Sequence, residues 1–491
     1  MLDTALAQFR YGMASAFGRR VRASDVHKLV RDVVAARAEH GGLDEEQLEQ
    51  MRGAAIDPEM RRLIAERRMR KLLRIARDRT PFYGARFRAL GIGPRDVSLD
   101  TLHELPVTTR AELKSLPEAF VSRTASPVLR ATTTGTTGEP TSIWFSRYEL
   151  DVAAGFGAIA SVVNLGWGPE VMVQSNISSR AMVGVLTAAT GCALIGATFD
   201  QVGIIDPEEA LGRLAAPVHV PGKTTRVSIL STYASYLGLL VDAAEASGHT
   251  PADFELRQIV CGGEVLSDAL RRRAEDVFGA ELVDIYGMTE IFPLGGTACS
   301  QGHLHLSVEQ GVMEVVDVDT GRPAAPGRVG TLVVTPFYPF RETTLLFRFD
   351  TGDLVRTLDD TELTCELAAL PATSPVLGKR ESSVQVGDVL VTDRDVRDVI
   401  DADRGVPLPA RFVLSPGDGG VDVDVLVRPP RDDAEHRLVA AFHRAGVPVA
   451  AVRCHVDRST MPRMPAMRCD LRETTFTRRM PAPERLHGSP A

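Results

Sequence analysis

The sequence predicts an α/β protein. A large N-terminal domain holds mixed, mostly parallel sheets covered by helices, a β-rich subdomain follows, and a small C-terminal α+β domain closes the chain. Three observations carry this reading. From Val171 onward, short Val/Ile-rich runs ("VMVQS", "CALIGATF", "VSILST", "QIVCGGE", "ELVDIYG") alternate with helical stretches such as "YASYLGLLVDAAEA" and "SDALRRRAEDVFG". Strands alternating with helices imply a parallel sheet buried on both faces. After "HLHLSVEQGVMEVVD" and "GTLVVTPF" the texture turns antiparallel, with turn signals such as "DTGRP". Beyond the Pro/Ala/Ser stretch "LAALPATSP" (367–375), read as a linker, "SSVQVGDVLV", "ARFVLSPGDGGVDVDVLVRP" and "DDAEHRLVAAFHRAG" mix strand and helix patterns on the scale of a small domain.

The first eighty residues are helical and Arg-rich. "ERRMRKLLRIARDR" places Met69, Leu72, Leu73 and Ala76 on one stripe, and "TPFYG" breaks it. The expected organisation is a helical segment at 1–80 packed on the large domain, the large domain at 81–375, the small domain at 376–475 and a loose Arg/Pro-rich tail at 476–491.

Bulk properties narrow the function. The 491 residues are 44% hydrophobic and 24% charged, ordinary for a globular chain. A formal net charge of −8 argues against a nucleic-acid or anionic-membrane partner. No run approaches the ~18 consecutive apolar residues of a membrane span, and "MLDTALAQFRYGMASAFGRR" is too interrupted by polar residues for a signal peptide. The six cysteines are scattered without a CxxC pair, so the chain reads as cytoplasmic and free of a disulfide framework. Lysines are confined to Lys28, Lys71, Lys114, Lys223 and Lys379, so any chemistry that requires one has few candidates.

"TTTGTTGEPT" (132–141) has the makings of a phosphate loop. Gly135 and Gly138 let the backbone approach an anion, and the hydroxyls of Thr133, Thr134, Thr136 and Thr137 can donate to it. Taken alone, such a stretch reads as a Thr-rich surface turn. Glu139-Pro140 follows Gly138 where a P-loop NTPase needs Lys-Ser/Thr, which excludes that class. "GGE" (262–264) and "YGMTE" (286–290) directly follow strands and so fall at the carboxyl edge of the sheet, where ligands bind.

"TTTGTTGEPT", "CGGEVLS", "DIYGMTE" and "FRFDTGD", in that order, resemble the adenylate-forming superfamily of acyl-CoA ligases and nonribosomal adenylation domains. "LLRIARDRTPFYGARF", "LPVTTRAELK", "SILSTYASYLGLL" and "CSQGHLHL" extend the likeness to its phenylacetate–CoA ligase branch, over roughly residues 66 to 360. The resemblance implies ATP and magnesium as cofactors, a small carboxylic acid as substrate, and a thiol (coenzyme A) or amine as acceptor; a homodimer stays open. It implies that Thr133 to Gly138 covers the β- and γ-phosphates and that Gly262, Gly263 and Glu264 line the adenine slot. Tyr286, next to Gly287, would stack on the base, Thr289 would donate to the α-phosphate, and Glu290 would ligate magnesium. Asp353 would take the ribose hydroxyls, and Tyr233, Ser235, Gly262 and Met288 would border the acyl pocket.

Two departures from the family pattern bear on activity. The hinge that lets the small domain rotate between half-reactions has Lys379 after Gly378, where relatives carry arginine, and Asp388 stands near the glycine of the following turn. The C-terminal "MPRMPAMRCDLR" has Ala466-Met467 where the pattern has Gly-Lys. Arg463 or Arg468 is the expected substitute cation. Use of a preformed adenylate, or binding without turnover in a degenerate ligase fold, are the alternatives. Cys299, His303, His305 and Cys365 resemble a zinc set of this branch, although the last cysteine of the pattern is missing. Zinc held by Cys299, His305 and Cys365, or a remnant cluster without metal, both stay open.

Overall fold

The computed structural model of the protein describes residues 2–41, 46, 57–133, 141–429 and 432–461. The chain opens in helices Leu2–Ala16, Ala23–His40 and Pro58–Arg79. In the third, Asp57 accepts from the Met60 amide and Pro58 takes the first turn, an N-terminal arrangement that leaves fewer orphan donors. Met69, Leu72, Leu73 and Ala76 of this helix are all fully buried. "TPFYG" is a restart rather than a stop. Thr80 donates to the Ala76 carbonyl and caps a second helix, Pro81–Ala89, by accepting from the Tyr83 amide. Tyr83 then ties that helix to the far side of the core: its hydroxyl accepts from the Phe347 amide at 2.8 Å.

Strands β1 (Pro127–Thr132) and β2 (Ser142–Ser146) form an antiparallel hairpin. Next come β3 (Met172–Asn176), β4 (Thr198–Gln201), β5 (Ile229–Thr232), β6 (Gln258–Gly262), β7 (Glu281–Gly287), β8 (Gly295–Ala298) and β9 (Leu304–Leu306). After β10 (Gly311–Val316), β11 (Val329–Pro336) and β12 (Phe349–Arg356) comes β13 (Ala372–Thr373), which closes an eight-stranded sheet in the order β13-β9-β8-β7-β6-β5-β3-β4. Pairing is parallel from β4 through β7 and antiparallel beyond. Side chains alternate to the two faces as strand geometry requires. Leu230, Ile259 and Cys261 pack against helices Ala234–Ser247 and Asp268–Phe278, while Ile229 and Val260 pack with Val162 and Cys192 on the opposite face. Cys261 is thus a small, fully buried apolar residue of β6.

Two readings of the sequence change here. The apolar run "CALI" ends helix Met182–Ile195, and only Thr198–Gln201 beyond Gly196 is strand. A short apolar run has no period of its own, and the helix wins because Gly196 in the left-handed region supplies its C-terminal cap. The stretch 367–375 is not a free connector either, since Ala372–Thr373 pairs with β9.

β10, β11 and β12 form an antiparallel sheet that β14 (Gly378–Lys379) joins at the β12 edge. Residues beyond it have their own core. The hairpin β15 (Val384–Val386) and β16 (Val389–Val391) precedes helix Asp393–Ile400. Strands β17 (Phe412–Gly417), β18 (Gly420–Leu426) and β19 (Val449–His455) then pack with helix Ala434–Arg444. This unit docks on the large sheet's helices through polar contacts. Ser267 donates to Asp401 Oδ2 at 2.6 Å, Arg394 to the Leu266 carbonyl at 2.7 Å, and Arg273 to the Asp401 carbonyl at 3.0 Å. Arg428 pairs with Asp242, and Leu408 is buried in the core beside helix Ala234–Ser247.

Below the hairpin lies a buried polar knot. Glu149, fully buried, accepts from the amides of Glu342 (2.7 Å) and Thr343 (2.9 Å) and from the Thr343 hydroxyl (2.6 Å). It also closes a capping box with Ser146 at the start of helix Arg147–Asn164. Arg341, equally buried, lies over the Phe145 ring at 4.3 Å and donates to the carbonyls of Thr344 and Phe292. Phe145 therefore packs the body of the protein, while the adjacent Trp144 is half-buried and tied to the Thr344 hydroxyl through its backbone.

Among the described residues, no helix is long and apolar enough to cross a membrane.

Candidate active site

The carboxyl ends of β5, β6 and β7 meet the β12–β14 edge, and most residues singled out in the sequence converge there. Gly262 ends β6 opposite Ile285 of β7; a Cβ on it would lie 2.6 Å from the Ile285 carbonyl oxygen. Gly263 has φ +81°, a conformation side chains rarely adopt, and a Cβ there would press on the Tyr233 ring at 3.3 Å. Both glycines thus keep the strand end thin. Glu264 turns back on the protein, its Oε2 accepting from the Ser235 amide at 2.7 Å in the first turn of helix Ala234–Ser247. Tyr233 is the cap residue of that helix.

Tyr286, at the end of β7, donates its hydroxyl to Asp353 Oδ2 at 2.7 Å. Burial first, and then the charge of Asp353, pushes the Tyr286 phenol well above its usual range, so it acts as a donor. Asp353 Oδ1 pairs with Lys379 Nζ at 2.6 Å, and Lys379 also donates to the Thr351 carbonyl at 3.1 Å. The register explains the meeting, because Asp353 of β12 faces Lys379 of β14 directly. A carboxylate has about four acceptor positions, so two remain for a ligand after Tyr286 and Lys379 are served. Met288 Sδ lies 4.0 Å from the Tyr286 hydroxyl. Gly287 has open space where a side chain would be, and Thr289 is half-buried beside Glu290.

Glu290 is only 3% exposed, and Arg110 reaches it loosely, with 3.5 Å between Nη2 and Oε1. Burial lowers the Arg341 guanidinium to about 10, against the opposing charges of Glu149 and Glu290, so it stays protonated at neutral pH. Reasoning from the sequence missed Arg110, although it lies within the quoted "LPVTTRAELK". A signal was available. Thr109 forms a capping box with Glu112, and Arg110 then occupies the first position of helix Arg110–Ser115, the end where a cation gains nothing from the helix.

Thr133 stands at the hairpin mouth, its amide donating to the Thr141 carbonyl and its hydroxyl accepting from the Thr141 amide. Thr134, Gly135, Thr136, Thr137 and Gly138 lie outside the described residues, as do Arg463, Met467 and Arg468.

Apart from this cleft, the antiparallel end of the large sheet brings Cys299, His303, His305 and Cys365 together, with ligand atoms all within 4.8 Å of one another. Cys365 Sγ is 3.4 Å from His305 Nε2, and the Nδ1 atoms of His303 and His305 have no hydrogen-bond partner. Burial lowers the His305 imidazole and raises the Cys299 thiol. Four soft donors with orphaned ring nitrogens fit a tetrahedral zinc after closing by about an ångström.

A family profile described as "AMP-binding enzyme" matches residues 94–337. The chain is similar to the phenylacetate–coenzyme A ligase of Thermus thermophilus, 28% identical over 350 residues that cover 69% of this chain and 75% of that one. It is similar to the Escherichia coli phenylacetate–coenzyme A ligase as well, 26% identical over 61% of this chain and 68% of the relative. Its fold is similar to that of 2-hydroxyisobutyryl-CoA ligase in the postadenylation state, with a TM-score of 0.70 at 18% identity, covering 84% of this chain and 90% of the other. The chain belongs to the adenylate-forming, AMP-binding superfamily, in its phenylacetate–CoA ligase-like branch.

Proposed function

We propose that the protein activates a small carboxylic acid with ATP and passes the acyl group to the thiol of coenzyme A. The observation that carries this reading is the Tyr286–Asp353–Lys379 network set beside the buried Glu290 at one sheet edge. In the first step a carboxylate oxygen attacks the α-phosphorus, the bond to the bridging oxygen breaks, and pyrophosphate leaves with the electron pair. In the second the thiol sulfur attacks the acyl carbon, AMP leaves, and the thiol proton passes to solvent. The phenylacetate–coenzyme A ligases to which the chain is similar support the choice of acceptor.

Each residue has work suited to its chemistry. Gly262 and Gly263 leave room for a flat base, and Tyr286 borders it while holding Asp353 in place. Asp353 retains acceptor positions for the ribose hydroxyls. The hydroxyls from Thr133 onward would serve the outer phosphates, Thr289 would donate at the α-phosphate, and Tyr233, Ser235 and Met288 would border the acid. Glu290 fits magnesium, being a buried carboxylate with only a loosely held partner. Magnesium bound there supplies charge neutralisation for the leaving pyrophosphate. Cys299, His303, His305 and Cys365 fit zinc and would brace the sheet end. Elemental analysis of chelator-free protein should find close to one zinc per chain, and no metal above blank would remove it.

Pyrophosphate release with MgATP and a panel of carboxylic acids tests the reading, followed by thioester formation once coenzyme A is added. The second reading, binding without turnover, is favoured by Ala466-Met467 in place of Gly-Lys. It predicts ATP binding with no release for any acid.

A further inference from the structure

We infer that Arg110 is a catalytic residue of the adenylation step and contacts the α-phosphate. The inference rests on the proposed adenylation and names the cation that this step needs. As the carboxylate attacks, negative charge concentrates on the phosphorane oxygens, and a fixed cation that meets them stabilises that state more than bound ATP. The cations around the cleft can be compared by how fully each is already engaged. Lys379 is held at 2.6 Å by Asp353 and donates to the Thr351 carbonyl. Arg380 is paired with Asp350 at 2.9 Å. Arg341 is fully buried against Phe145 with two backbone carbonyls as partners, so a ligand cannot reach it. Arg110 differs from all three. Its side chain is 34% exposed, and among the described residues its ion-pair partner is Glu290 alone, at 3.5 Å, beyond good hydrogen-bond length.

The backbone that carries Arg110 is nevertheless fixed. The Thr108 amide donates to the Arg348 carbonyl at 2.7 Å, and the Asp350 amide donates to the Thr108 carbonyl at 2.9 Å. Thr108 is thereby stitched beside the start of β12, the strand that bears Asp353. Thr109 caps the next helix, so the Arg110 guanidinium springs from a rigid base while its tip stays uncommitted. A phosphate oxygen arriving beside Glu290 would find a planar donor already in place, with no need for the C-terminal tail to deliver one. That fits a chain with Met467 where the family pattern has lysine.

The test uses the full-length protein with AMP, whose single phosphate is the α-phosphate, and adenosine, which has none. By calorimetry, Arg110→Ala should weaken AMP binding about tenfold while adenosine binding is unchanged. Single-turnover adenylate formation should fall about a hundredfold or more. Arg110→Lys should lie between, keeping the charge but losing the two-pronged donor. AMP affinity within about twofold of the parent, or an unchanged adenylation rate in Arg110→Ala, would overturn the assignment. An equal loss for AMP and adenosine would also overturn it, because Arg110 would then support the cleft rather than the phosphate. A parent protein that binds AMP but releases no pyrophosphate with any acid would sink the adenylation reading itself, and the AMP–adenosine comparison would still decide where Arg110 points.

Discussion

Two acid–cation pairs stand at the same sheet edge and are built on opposite plans. Asp353 is gripped on both oxygens, by Tyr286 at 2.7 Å and by Lys379 at 2.6 Å, with acceptor positions still open on each. Glu290 is more buried, yet its only ion-pair partner among the described residues stands off at 3.5 Å. A carboxylate already held by two donors is oriented before any ligand arrives and suits a task of position. A buried carboxylate with a distant partner retains unspent negative charge, which suits recruiting a metal cation. On the proposed reading, the same residue types would serve recognition at one site and charge handling at the other.

Breaking the loose pair should give the largest effect. Glu290→Ala should lower single-turnover adenylate formation by about three decades, since it removes the carboxylate proposed for magnesium. Stopped-flow detection of pyrophosphate reads this directly, and a loss under about tenfold would place the metal elsewhere. Breaking the tight pair should act on binding instead. Asp353→Ala should weaken ATP affinity by about ten- to a hundredfold, the scale of one or two charge-assisted hydrogen bonds. Calorimetry measures it, and circular dichroism should show the fold retained. Equal affinity in mutant and parent would remove Asp353 from the ribose assignment.

The substitutions in the tail sharpen the contrast between body and terminus. If the fixed body provides the adenylation cation, Arg463→Ala and Arg468→Ala should each change the single-turnover rate by less than about threefold, far less than Arg110→Ala. A hundredfold loss in either tail variant would return the role to the C-terminus.

A smaller effect is expected from pH, at the dock of the small domain. Burial raises the Asp401 carboxyl to about 6; Arg397 and the Ser267 hydroxyl oppose the shift, while Asp393 and Asp398 add to it. Its folded value exceeds the unfolded one, so its stabilising contribution is complete below about pH 4 and is lost as pH rises through about 6. Amide exchange in helices Asp268–Phe278 and Asp393–Ile400 should therefore be a few-fold slower at about pH 5 than at about pH 7.5, after correction for intrinsic rates. Asp401→Asn should flatten that dependence, because the amide cannot ionise while its oxygen still accepts from Ser267. An unchanged pH profile in Asp401→Asn would assign the dependence to other groups.

What the sequence revealed, and what it hid, follows from the range of the interactions. β3, β5, β6 and β7 were legible because a strand buried on both faces must be a short apolar run, and the stripe of Met69, Leu72, Leu73 and Ala76 because helical period is local. The "CALI" run was not, since four apolar residues serve strand and helix equally well. The partnership of Asp353 with Lys379 depends on the register between β12 and β14, and that of Arg110 with Glu290 joins segments 180 positions apart in the chain. Neither leaves a mark in the residues on its two sides. The helix-start position of Arg110 was the one local sign, and it has meaning only once the helix is known.

The buried Glu149–Arg341 knot has a genetic consequence. Glu149 fastens the base of the hairpin that carries the Thr-rich loop to residues 342 and 343, and Arg341 fastens the neighbouring segment to the Phe292 carbonyl, two residues past Glu290. In a screen of random alleles for lost function, Glu149 and Arg341 should therefore score beside Glu290, although neither is open to solvent. Ranking alleles by severity alone would mistake these girders for contact residues. Intragenic suppressors would separate the two kinds: second-site changes that stabilise the protein globally should rescue alleles at Glu149 and Arg341 and leave those at Glu290 dead.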